Sequence, residues 1–267
     1  MDSAGYDRDF ANGSFQMKRL VLLLSIAFLI TSVGAALKSY QTNFPATEDP
    51  ISENNNWING AVTGLDWGNV QTTPGLAFGT VVSGGPPYND STAALTGTWA
   101  TNQSACATVF LNPNLNRNAA FYEVEIRLRV TIGPHNITGY EFNYSMGNDA
   151  SSGHLYAGVV RWNGPLDNFT GLGGPSGIPP ALQTGDVFCA SASGSTLKEW
   201  VTRAGAVIET ATVTDATYST GSPGMGFYNQ NGSPSDNSSF GFTSYQASEI
   251  NSSGPAPPTN LRVTGVQ

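Results

Sequence analysis

Charge is scarce in this chain. Asp, Glu, Lys and Arg make up 11% of its 267 residues, and 19 acidic against 11 basic side chains leave a net charge of -8. That balance argues against nucleic acid or an anionic membrane surface as partner. Histidines and cysteines number two each, and neither cysteine has a histidine near it in sequence, so neither reads as a nucleophile. The longest apolar run, residues 20–30, is short of the roughly 20 residues that span a bilayer. Helical character is confined to residues 195–201, too few to hold a helix alone. What the chain has in quantity is glycine, asparagine, serine and threonine, the composition of short strands joined by many turns.

The run at 20–30 has its own role. Met17-Lys18-Arg19 precede it and Thr31-Ser32-Val33-Gly34-Ala35-Ala36 follow it. A basic start, a short apolar stretch and small residues form a secretory signal, with cleavage expected after Ala35 or Ala36. Residues 1–16 read as a mis-assigned leader ahead of a true start at Met17. Three basic and three acidic residues leave with 1–36, so the mature region keeps its charge of -8. The expected location is extracellular or the cell surface, with no membrane span after cleavage. In that setting Cys106 and Cys189 read as a disulfide. One β domain is expected over 37–250, followed by a Pro-rich linker and one terminal strand over 251–267.

Residues 121–132 organise the domain. Tyr122, Val124, Ile126, Leu128, Val130 and Ile132 alternate with Phe121, Glu123, Glu125, Arg127, Arg129 and Thr131. A strand puts the first set on one face and the charges on the other, where they meet solvent or a ligand. Residues 137–146 and 155–162 alternate in the same way, the first of them joined to 121–132 by a short turn, as in a hairpin. Further strands are expected at 76–82, 93–99, 106–111, 186–192, 198–207, 211–214, 224–229 and 240–247, with a loop over 171–180. The fold class is all-β.

Several local signatures resemble the concanavalin A-like lectin/glucanase superfamily. They are Trp162-Asn163-Gly164 closing a strand, Thr184-Gly185-Asp186 ahead of Ser193-Gly194-Ser195, Gly224-Met225-Gly226-Phe227, and the terminal Phe240-Gly241-Phe242 segment. The resemblance covers roughly 43–248 and implies a two-sheet antiparallel jelly-roll sandwich whose relatives bind or cleave glycans. The related glucanases carry Glu-x-Asp-x-x-Glu on one strand. Here Glu123-Val124-Glu125-Ile126-Arg127-Leu128 puts leucine where the last acid belongs, and pairing of Arg127 and Arg129 with the acids would keep them ionised. Alginate lyases of the same fold carry Arg-x-Glu-x-Arg, Gln-Ile-His and Gly-x-Tyr-x-Gln. Glu125 with Arg127 fits the end of the first and Gly226-Phe227-Tyr228-Asn229-Gln230 the last, but the histidine element is missing.

Carbohydrate binding without catalysis is therefore expected, no catalytic residue being assigned. Trp162, Asn163, Arg161, Glu125, Arg127, Glu141, Asn143 and Tyr228 are the candidate contacts, with Trp99 a further ring. No cofactor is required. The resemblance allows a structural Ca²⁺, for which Glu48, Asp49, Glu53 and Asp236 are the oxygen donors at hand. Asn89, Asn102, Asn136, Asn143, Asn168, Asn231, Asn237 and Asn251 begin Asn-x-Ser/Thr triplets, acceptors for glycan in a eukaryotic secretory route. A different reading concerns Leu261, Val263 and Val266. This strand has no partner downstream and could complete a neighbour's sheet, making the protein a fibre or surface-layer subunit; Pro258-Thr259-Asn260-Leu261-Arg262-Val263 also resembles the start of a fibronectin type III module. A degenerate glucanase or alginate-lyase-like enzyme is the third reading.

Overall fold

The structure, a computed structural model, describes Met1 and residues 37–80, 90–230 and 233–251. The leader, the signal, the linker and the assembly strand at Leu261, Val263 and Val266 lie outside the described residues.

Two antiparallel sheets pack face to face. The seven-stranded sheet runs in the order β10 (Phe169–Gly173), β9 (Ala157–Gly164), β8 (Asn136–Ser145), β7 (Phe121–Gly133), β14 (Ser222–Gln230), β5 (Ser91–Leu95), β2 (Trp57–Asn59). The second runs β13 (Ala206–Thr214), β12 (Thr196–Arg203), β11 (Val187–Ser193), β6 (Gln103–Leu111), β15 (Phe240–Glu249), β4 (Leu76–Gly79), β3 (Val70–Thr73), with β1 (Ser39–Thr42) also paired to β15. The chain passes repeatedly from one sheet to the other, so strands distant in sequence become neighbours. Among the described residues no helix is long and apolar enough to cross a membrane.

The alternation in β7 does what its period requires over most of its length. Tyr122, Val124, Ile126 and Leu128 enter the core with Tyr140, Phe142 and Tyr144 of β8, and meet Phe188, Phe240 and Phe242 from the opposite sheet. Each fully buried aliphatic here contributes about 1.5–3 kcal/mol. At Arg129 the alternation breaks. Leu128 pairs with Tyr140 but Thr131 with Thr138, so Arg129 and Val130 together face the single residue Gly139. Arg129 takes a left-handed φ of 53°, and this β-bulge reverses the side-chain faces beyond it. Val130 and Ile132 thereby leave the main core for a second cluster with Leu65, Trp67 and Trp162. Arg129 turns away from the acids, and its guanidinium donates to the carbonyls of Thr101, Gly194 and Tyr218.

Other departures are local. Residues 198–207 are not one strand, because Ala204 and Gly205 both take positive φ and turn β12 back into β13, as a two-residue hairpin requires. The stretch 195–201 is not helical: Ser195 ends the turn before β12, and the rest is extended in that strand. β10 occupies the start of the expected loop at 171–180. Cys106 and Cys189 are bonded, at directly paired positions of β6 and β11.

Candidate functional site

Phe121, Glu123, Glu125 and Arg127 point away from the core on β7. Antiparallel register sets Asn143 across from Glu125 and Glu141 across from Arg127 on β8. On the other flank, Tyr228 of β14 lies across from Glu123 and Gly226 across from Glu125. β9 brings Val160 opposite Glu141, and Phe169 of β10 pairs with Trp162. On the outer side of the sheet this arrangement leaves a cavity of about 310 Å³. Its rings are Phe121, Tyr156, Trp162, Phe169 and Tyr228; its polar groups are Asp90, Glu123, Glu141, Asn143 and Gln230.

Beneath this cavity the charged face is sealed. Glu125 and Arg127 are wholly buried, contrary to a face open to solvent. The Arg127 guanidinium bonds Glu125, lies 3.1 Å from Asp90 Oδ2 and 2.9 Å from Glu141 Oε2, and sits 4.7 Å from the centre of the Trp67 ring. Gly226 makes room for it. A Cβ there would collide with Glu125 Oε2 and lie 2.7 Å from Arg127 Nε.

One cation among three carboxylates leaves uncompensated negative charge in a place with little water. Burial raises Asp90 and Glu125 well above the ordinary carboxylate range. For Asp90 the charge of Glu141 adds to this, and Arg127 opposes the rise without cancelling it. Glu123 has no arginine partner. The Tyr156 hydroxyl donates to it, and burial together with the charge of Glu141 pushes it up to about 8. Glu141 accepts from Trp162 Nε1 at 2.5 Å and from Asn143 Nδ2 at 3.0 Å.

Of the candidate contacts, Trp162, Glu141, Asn143 and Tyr228 line the cavity. Glu125 and Arg127 lie on the same strand face but are enclosed. Arg161 and Asn163 are on the other face of β9, because Arg161 registers with the core residue Tyr140. Arg161 pairs with Asp215 at 2.5 Å and donates to Asn163, which bonds Thr170. Trp99 is buried in the main core. Asp90, Phe121, Tyr156, Phe169 and Gln230 line the cavity too, beyond the candidate contacts. Parity places Phe121 with Glu123 and Gln230 with Tyr228, so those two were within reach of the sequence pattern; Asp90 and Phe169 arrive only through the sheet order. No histidine lines the cavity: His135 is exposed beside Asp66, and His154 stacks on Phe121. Of the Asn-x-Ser/Thr asparagines among the described residues, Asn143 and Asn237 are buried; Asn89 and Asn231 lie outside the described residues.

The expected calcium donors do not converge. Glu48 accepts backbone N–H groups of Ser52 and Glu53, Glu53 accepts from Tyr40 and Trp57, and Asp236 accepts from Tyr122; Asp49 is exposed. Among the described residues, the acids close enough to share a cation are Asp90, Glu125 and Glu141, with oxygens within 4.8 Å of one another. Arg127 already bonds all three.

No protein-family model matches the chain, and no curated protein does. Solved structures match it. The CBM2 module of the Lactobacillus casei BL23 phage J-1 evolved Dit superposes at a TM-score of 0.50 with 14% identity, over 80% of this chain and 97% of that one. Basic winged bean lectin with Tn-antigen superposes at 0.50 with 11% identity, over 80% and 98%. What the chain shares with them is the fold, a sandwich of two antiparallel sheets. At such identities the likeness carries architecture and not function. Within this sandwich the seven-stranded sheet presents the cavity, and the bulge at Arg129 turns Val130 outward to pack with Trp67 and Trp162.

Proposed function

We propose that the protein is a secreted, non-catalytic β-sandwich that binds glycan in the cavity on its seven-stranded sheet. The observation that carries this reading is the wall itself. Five aromatic rings, three carboxyls and two amides line about 310 Å³, which offers apolar faces for a sugar ring and polar atoms for its hydroxyls in a space of ligand size. A lectin and a CBM2 module of the same fold agree in kind. The Cys106–Cys189 bond fits an oxidising compartment, as the signal at 17–36 would require.

The enzyme alternative has one observation in its favour: Glu123 is free of arginine, lines the cavity and holds its proton to about pH 8. One panel tests both readings. Purified protein is assayed on a glycan array and on β-glucan and alginate for turnover, beside Phe121→Ala, Phe169→Ala and Glu123→Gln. Binding without turnover is expected, weakened about tenfold, or about 1.4 kcal/mol, by loss of either rim ring. Absence of glycan binding would remove the reading. Turnover that disappears in Glu123→Gln would put an enzyme in its place.

A further inference from the structure

The polar atoms of the cavity are unbalanced in kind. Asp90, Glu123 and Glu141 turn carboxylates to its wall, and among the described residues no Lys, Arg or His lines it. The nearest guanidinium, on Arg127, is enclosed and shared among Asp90, Glu125 and Glu141. Three donors of the wall are already directed at its own acids: Tyr156 at Glu123, and Trp162 and Asn143 at Glu141. Below the wall, Glu125 Oε1 is buried and accepts no hydrogen bond among the described residues.

A sugar hydroxyl both donates and accepts, and a uronate only accepts at its carboxylate. A wall rich in carboxyls has acceptors in excess for the first and offers no ion pair to the second. An ammonium group is complementary to it, with three N–H donors and no acceptor. The aromatic rings add to the match, because a cation is attracted to a ring face.

We infer that the cavity selects a sugar bearing a protonated amine, an amino-sugar residue of a glycan, over its neutral and uronic counterparts. This rests on the glycan-binding reading and narrows it. The raised carboxyls are consistent with such a ligand: burial and mutual repulsion leave protons on the wall in the empty cavity, and an arriving ammonium would replace them.

Oligomers of one length and linkage separate the two levels of the claim. Titration calorimetry would compare β-1,4-linked glucosamine, N-acetylglucosamine and glucose oligomers, at a pH where the free amine is protonated. The glucosamine series is expected to bind at least about tenfold more tightly than the glucose series, with protons released to buffer on binding. In Glu123→Gln, the ratio of those two affinities is expected to fall about tenfold. Equal affinities across the three series would overturn the amine preference and leave glycan binding standing. Binding of none of them would overturn both. The wild-type comparison decides the matter even if the variant does not fold.

Discussion

Glu199 stands between Leu197 and Val201 on the inner side of β12, and Glu209 lies across from Val201 on β13. None of their four carboxylate oxygens has a hydrogen-bond partner among the described residues. Burial, and for Glu199 the charge of Glu209 as well, raises both groups, Glu209 to about 7. A raised carboxyl holds its proton in the folded chain at pH values where the unfolded chain has lost it. Stability is then fully present below the ordinary carboxylate pKa and is lost as pH rises through about 7. Glu209→Gln should flatten that fall, with a difference of no more than about 3 kcal/mol above pH 7. Urea unfolding of both proteins across the acid-to-neutral range checks it, and parallel pH curves would contradict the assignment. The other buried acids act in the same direction: Asp90, Glu123 and Glu125 are all raised by burial, so each contributes stability that is lost as pH rises. Arg127 does not reverse the trend, since one guanidinium cannot balance three neighbours.

At the scale of the element, β7 is a strand with one deliberate fault. Gly139 is opposite the bulge with φ 129°, and a Cβ on it would lie 2.6 Å from the Arg129 carbonyl oxygen and 2.7 Å from Val130 Cα. Gly139→Ala should therefore cost about 1–3 kcal/mol through backbone strain. Gly133→Ala, at the end of the same strand with open space around its Cβ position, serves as the control and should change stability by less than about 1 kcal/mol. Chemical denaturation distinguishes them, and equal effects would mean that the bulge tolerates a side chain. The bulge matters to the site because it divides the apolar stripe. Four residues support the main core, while Val130 and Ile132 pack behind Trp67 and Trp162, the latter a wall of the cavity.

For the whole molecule, the long-range link is Cys106–Cys189, which closes a sequence separation of 83 residues. The chain-entropy argument gives it about 4–5 kcal/mol. Reduction, or replacement of both cysteines by alanine, should lower the denaturation midpoint accordingly, and an unchanged midpoint would show that strand pairing of β6 with β11 holds without it. The order of strands is also a property of the whole. Period-two alternation is a local signal, and it was enough to place β7, β8 and β9, their polar and apolar faces as far as Leu128, and the all-β class. The pairing of distant cysteines was legible too, given export. The reversal at Arg129 was not, because a bulge is a property of two strands, and the pairing of Arg129 and Val130 with Gly139 is set by register. The same alternation sets Arg161 and Asn163 on the face of β9 opposite to Trp162, and register puts Arg161 with Tyr140, so they are not contacts of the cavity that Trp162 lines. The site itself combines both levels. Alternation along β7 and β14 determined that Phe121, Glu123, Tyr228 and Gln230 share a face. Only tertiary structure decided that Asp90, Trp162 and Phe169 join them around one cavity while Glu125 and Arg127 are shut beneath it, because burial and charge compensation depend on neighbours that the chain brings back from far along its length.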